Sequence, residues 1–263
     1  MLKQIILSGY CALLLAVSSD AAHIKFKGYR FESYVVGDNL SRFPEARKKE
    51  KSWLQVEEGA EYSIVVNNPL PVRVAAAVTI DGLNTIDGKR TTPKKARKWI
   101  IEAHSSITLR GWQTGNSSLR RFVFTNQSGS YAEWKGKRDC KPYNRNLGVI
   151  GVAYFWNKAE LKRAFNPPRP FAEKGTGKSS RSKSKRAPSA DSELEAAPAE
   201  PRAGTGMGHK ETHNVYEVAF HYDTGMYHSR AVLTIYYEFA RNVLQPRPFI
   251  EEYSKNEFAP EMP

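Results

Sequence analysis

The sequence predicts an all-β fold, an antiparallel, jelly-roll-like β-sandwich with a long disordered insertion before its last two strands. Three observations lead there. Short apolar runs recur between turn residues over most of the chain. Helical periodicity is almost absent. Between Asn166 and about Gly208 the composition shifts to Pro, Ser, Ala, Gly and blocks of charge.

In order along the chain, residues 1–21 have the layout of a secretory signal peptide. Lys3 precedes an apolar stretch from Ile5 to Val17, and Ser19 and Ala21 supply the small residues of a cleavage site. The apolar stretch is 13 residues, too short to span a bilayer comfortably, and no later run reaches the roughly 18 to 20 needed. No transmembrane helix is expected once the signal is removed. Cleavage would remove Cys11 and leave Cys140 alone, so no internal disulfide can form and the core must hold the fold.

Residues 22–165 read as the main part of the sandwich. Strands are predicted at Ile24 to Tyr34, Glu61 to Asn67, Val72 to Ile80, Lys98 to Glu102, Ser106 to Arg110, Arg121 to Thr125 and Leu147 to Trp156. Asp81-Gly82, Asp87-Gly88, Gly115-Asn116 and Ser128-Gly129 provide turns. Short helical patterns occur at Pro44 to Lys51 and Lys158 to Phe165. Residues 166–208 form the insertion, basic in its first half and acidic in its second, so that the halves attract each other. Residues 209–250 carry two final strands, Asn214 to Tyr222 and Ala231 to Phe239, which complete the sandwich because two strands alone are marginal in water. Residues 251–263 are a flexible tail.

Six strings stand out: Val78 to Gly88 (VTIDGLNTIDG), Ile107 to Trp112 (ITLRGW), Arg121 to Thr125 (RFVFT), Gly148 to Phe155 (GVIGVAYF), Gly204 to Gly208 (GTGMG) and Ile235 to Glu238 (IYYE). Together they resemble an uncharacterised group of bacterial, mainly β proteins, over about Tyr62 to Leu244. The resemblance implies a single sandwich and a bacterial origin, and it implies no activity or functional residue.

No motif fixes a reaction, and no catalytic residue or cofactor is assigned. Ala172 to Ser179 fits a loose phosphate-binding loop but lacks the preceding strand and following helix that such a loop needs. Asp81, Asn84 and Asp87 lack the spacing of a calcium loop and suit turns. No serine stands in Gly-x-Ser-x-Gly, and Cys140 has no adjacent base. His209, His213 and His221 are the candidate metal ligands of the alternative, a metal-dependent or hydrolytic enzyme on a jelly-roll scaffold.

Charge is the strongest functional signal. Lys plus Arg number 40 against 27 Asp plus Glu, a formal net charge of +13. Lys94, Lys95, Arg97 and Lys98 crowd one expected loop beside Trp99; Lys135, Lys137 and Arg138 crowd another, with Trp112, Trp134 and Tyr143 as further rings. Lys89, Arg90, Lys141 and Arg145 extend the two clusters. Cations attract a polyanion and flat rings stack on sugars. The expected function is therefore an exported, non-catalytic binding or structural protein, in the periplasm, at the cell surface or outside the cell. Its basic face would engage an anionic polysaccharide, a lipid surface or a protein partner. Export argues against nucleic acid as the ligand.

Overall fold

The computed structural model describes residues 22–48, 51–166, 202–223 and 230–243. The predicted signal peptide, most of the insertion and the tail lie outside the described residues. The chain runs through β1 (Ala22–Phe26), β2 (Tyr29–Gly37), β3 (Glu45–Lys48), β4 (Lys51–Val56), β5 (Glu61–Asn68), β6 (Val74–Ile80), β7 (Leu83–Asn84) and β8 (Trp99–Ile101). It continues with β9 (Ser105–Leu109), β10 (Gly111–Gln113), β11 (Ser118–Asn126), α1 (Tyr131–Asp139), β12 (Val149–Trp156) and α2 (Lys158–Phe165). Beyond the insertion come β13 (Ala203–Thr212), β14 (Arg230–Phe239) and α3 (Ala240–Val243).

These strands form an all-β sandwich of two sheets. The first runs β1-β2-β5-β11-β10, with β9 added to β5 and β13 to β11; the second runs β3-β4-β14-β12-β6-β7, with β8 added to β6. Pairing is antiparallel throughout except between β14 and β4, which are parallel. Alternation places Tyr62, Ile64 and Val66 of β5 and Val74, Ala76, Val78 and Ile80 of β6 in one core shared by both sheets. Phe31 of the first sheet stacks on Trp156 of the second at 5.4 Å between ring centroids, and Phe124 lies 5.1 Å from Tyr237. Burying such side chains contributes roughly 1.5–3 kcal/mol each, and this carries a fold without a disulfide.

β6 and β12 are buried on both faces because the outer face of the second sheet is also covered. Ala75, Ala77 and Ala153 face outward there, and Phe220 and Tyr222 pack on them. The segment 213–223 that brings these rings is not the strand expected from its alternation. It is fixed at one end by Val215 N–H to Asn116 O (2.8 Å) and at the other by Asp223 N–H to Trp156 O (3.1 Å). Of its alternating apolar side chains, Phe220 and Tyr222 pack on the sheet face while Tyr216 and Val218 are exposed.

Three further expectations are corrected. The strand that joins the first sheet is β13, which pairs with β11 from Ala203↔Asn126 to Thr212↔Ser118, so the last part of the sandwich begins at Ala203 and not at His209. Pro44 to Lys51 is not helical: its charged residues form β3 and the start of β4, a hairpin tied by Ser52 Oγ to Glu45 Oε2 at 2.5 Å. Charged side chains suit such an edge. The stretch holding Lys135, Lys137 and Arg138 is the helix α1, capped by Ser130 Oγ accepting from Glu133 N–H (3.1 Å). α2 spans the residues predicted, with Asn157 as its N-cap.

Candidate functional site

Five of the six strings, through Asp81, Trp112, Gly148, Thr205 with Gly206, and Tyr237, meet at one buried polar network between the sheets. Asp81 and Gly82 both take left-handed backbone angles (φ 53° and 79°), as the two-residue turn from β6 to β7 requires. This turn points the Asp81 carboxylate inward, where it is 1% exposed. One oxygen accepts from Gly148 N–H (2.9 Å) and from the Tyr237 hydroxyl (2.6 Å); the other accepts from Thr205 N–H (2.7 Å). The Thr205 hydroxyl then bonds Tyr237 (2.8 Å) and Tyr62 (2.7 Å), completing a chain of hydroxyls that ends on the carboxylate. Trp112 Nε1 donates to Gly206 O (3.0 Å) beside it.

Gly148 must be glycine on two counts, its φ of +80° and a Cβ that would stand 2.6 Å from Tyr237 O. Burial pushes the Asp81 carboxyl up to about 7, against the hydrogen bonds with Tyr237, Thr205, Gly148 and Val149 that pull it down. Tyr62 and Tyr237 are raised by the same burial. This network is enclosed by the core, and its groups spend their hydrogen bonds on each other. It joins β13 of the first sheet to β14 and the β6–β7 turn of the second, which is a structural task.

The cations are sorted by the structure into those with partners and those presented to solvent. Lys94, Lys95 and Arg97 are exposed on the segment between β7 and β8, with Arg97 3.5 Å from the exposed Glu217. Lys98 serves the fold: Nζ donates to Lys94 O (2.9 Å) and Ala96 O (2.7 Å) and lies 4.9 and 5.0 Å from the Phe155 and Tyr222 ring centroids. Trp99 is half-buried and donates to Thr85 Oγ1 (3.0 Å). Trp112, expected as a stacking surface, is 2% exposed and packs edge-on against Phe122 and Tyr131, so it is a core residue.

On α1, Lys135 is buried and reaches Asp139 at 3.3 Å, and Lys137 pairs with Glu133 at 3.6 Å. Arg138 bonds Asp139 (3.0 Å) and lies over the half-exposed ring of Trp134, 4.8 Å from its centroid. Arg138, then Lys135, hold the Asp139 carboxyl below its usual range.

The two clusters, separate in sequence, touch. Arg90 Nη1 donates to Pro142 O at 2.9 Å, and its guanidinium lies 5.7 Å from the Tyr143 centroid. Burial, followed by the opposed influences of Tyr143 and Arg145, pulls Arg90 below the usual arginine range. Arg90 therefore brings the segment between β7 and β8 against α1 and the turn after it, where Lys141 and Arg145 are exposed. Tyr143 is one of the rings that flank the clusters in sequence, and the fold puts it under Arg90 of the other cluster.

The histidines do not assemble. His209 stands between two carboxylates, Glu61 at 2.8 Å from Nδ1 and Glu211 at 3.0 Å from Nε2. Glu211 and Glu61 also surround Arg121, whose side chain is 5% exposed and which bonds Asp38 as well. His213 Nδ1 meets Gln113 Oε1 at 2.9 Å, and His221 is exposed on the 213–223 segment. Among the described residues no group of three His, Cys, Asp or Glu is arranged to hold a metal ion. Cys140 is exposed at the C-cap of α1. No helix among the described residues is long and apolar enough to cross a membrane.

Compared with family models, with curated proteins and with solved structures, the chain gives no match.

Proposed function

We propose that this chain is an exported, non-catalytic binding or structural protein whose basic face engages an anionic cell-surface component. The supporting observation is the junction at Arg90, which brings the segment between β7 and β8, one of the two sequence-distant cation clusters, against the turn after α1, part of the other. Lys94, Lys95 and Arg97 stand on one arm of this face, and Arg138, Lys141 and Arg145 on the other. Trp134, half-exposed beside Arg138, adds a ring edge for sugar contact. Acidic residues within the face are few: Asp139, Glu133 and Glu217 each pair with one or more cations, and the chain as a whole keeps its charge of +13. A rigid array of cations favours a repeating polyanion, because each neutralised charge adds counterion release without a new conformational cost. Anionic polysaccharide fits this best, with a lipid surface or an acidic protein as the other occupants. The leader at residues 1–21 supports export.

The test is binding of the purified protein to an acidic polysaccharide, to anionic vesicles and to DNA at two salt concentrations. Polysaccharide binding that is salt-sensitive and falls when Arg138, Lys141 and Arg145 are changed to Gln supports the proposal. Equal binding by that variant contradicts it. The enzymatic alternative is tested on the same preparation by metal analysis and by changing His209, His213 and His221 to Ala.

A further inference from the structure

A cleft of about 380 Å³ opens where β1 and β2 lie against β14 and the start of β4. Its lining is part polar and part apolar: Val35, Leu54, Leu233 and Ile235 supply apolar side chains that are otherwise buried in the sandwich. Two cations belong to its lining, Arg42 and Lys51. Arg42 lies 4.1 Å from the Tyr34 ring centroid and is matched by Glu32 at 3.3 Å. Lys51 lies 4.4 Å from the Tyr236 centroid, with Nζ donating to the Tyr236 hydroxyl at 3.2 Å. No carboxylate of the described residues pairs with Lys51, and Glu45, the carboxylate of the lining, accepts instead from Ser52 (2.5 Å).

An ammonium with no carboxylate partner among the described residues, beside these apolar side chains, is complementary to an amphipathic anion. We propose that this cleft binds a free amphipathic carboxylate, its chain on Val35, Leu54, Leu233 and Ile235 and its head group at Lys51. The volume suits a molecule of about a dozen non-hydrogen atoms, taking roughly 30 Å³ for each, and falls in the range of ordinary ligand sites. The tyrosine hydroxyl holds the ammonium in place before the ligand arrives, which lowers the entropy lost on binding. The site shares no residue with the basic face around Arg90, so either proposal can fail alone.

The experiment is calorimetric titration of the full chain with decanoate, with decanol as the neutral analogue and with decyltrimethylammonium as the cationic one. Decanoate is expected to bind one-to-one, decanol about tenfold more weakly, and the cation not measurably. Lys51→Gln should weaken decanoate about tenfold and leave decanol unchanged. Ala22→Phe, a substitution in the cleft lining on an edge strand, should weaken both. Equal affinities for decanoate and decanol, undiminished decanoate binding by Lys51→Gln, or no saturable binding would each overturn the proposal. So would Lys51-dependent sedimentation with phosphatidylglycerol vesicles in the absence of decanoate binding, which would make Lys51 a membrane contact.

Discussion

Thr205→Val is the sharpest perturbation of the network between the sheets. The change keeps shape and replaces one hydroxyl by a methyl group, and that hydroxyl bridges Tyr62 at 2.7 Å and Tyr237 at 2.8 Å. Tyr237 keeps its bond to Asp81. Tyr62 is fully buried and loses the one side-chain hydrogen bond its hydroxyl makes among the described residues. Two lost bonds at about 1 kcal/mol each, plus about 1 kcal/mol or more for the orphaned phenol, give a destabilisation of about 3 kcal/mol. Tyr62→Phe alone should cost about 1 kcal/mol, because Thr205 retains Tyr237. In the double variant the orphan is gone, so the total should fall to about 1.5 kcal/mol, well under the sum of the singles. Urea unfolding followed by tryptophan fluorescence measures all three. Strict additivity, or a Thr205→Val cost below 0.5 kcal/mol on that order-of-magnitude scale, would refute the chain of bonds as drawn.

Three other outcomes follow from the same geometry. Burial lifts the Asp81 carboxyl to about 7, above its unfolded value of about 3.9, so the folded state holds the proton more tightly. The resulting stabilisation is fully present below about pH 4 and is lost as pH rises through 7, a swing of about 4 kcal/mol. Asp81→Asn should remove this slope when stability is compared at pH 4.5, 6 and 8; wild-type stability that rises with pH relative to the variant would contradict it. Gly148→Ala puts a Cβ 2.6 Å from Tyr237 O at a φ of +80°, and should lower stability by 2 kcal/mol or more on the usual order-of-magnitude scale, measured by thermal unfolding. Arg90→Met should loosen the contact with Pro142 and raise amide exchange in the segment between β7 and β8, while leaving β6 and β12 protected.

Much of the fold is legible in the residues. β5, β6, β12 and β14 have the alternation or continuous apolar character of strands packed on one or both faces, and Asn157 announces α2. β13 is hidden because Gly204, Gly206 and Gly208 look like a linker. They are glycines for close approach: a Cβ at Gly204 would meet Ser130 at 2.7 Å, and one at Gly206 would meet Gly129 O at 3.1 Å. The same holds for α1, whose Gly136 argues against a helix until Lys141 O is seen 2.7 Å from where its Cβ would be.

For the candidate site, the cations were visible and their employment was not. Lys98 and Lys135 belong to the same charged runs as Lys94 and Lys137, yet one caps a loop beneath two aromatic rings and the other is buried against Asp139. Nothing local separates them, because the rings of Phe155 and Tyr222 come from distant segments. Trp112 illustrates the reverse case: a ring two residues from Arg110 in sequence is a core side chain because Phe122 and Tyr131, from other elements, pack against it. Asp81 read as a turn residue and is one, while its service as the acceptor for both sheets depends on Gly148, Thr205 and Tyr237, none of them near it in sequence.

The measurement that bears most directly on the central claim is the salt dependence of binding to an acidic polysaccharide, for the wild-type protein and for the Arg138, Lys141 and Arg145 triple Gln variant. If the face around Arg90 is the binding surface, the slope of log K against log salt becomes shallower in the variant and its affinity at low salt drops by about tenfold or more. A variant with the wild-type slope and affinity would show that the anion binds elsewhere or that the charge of this face serves only solubility.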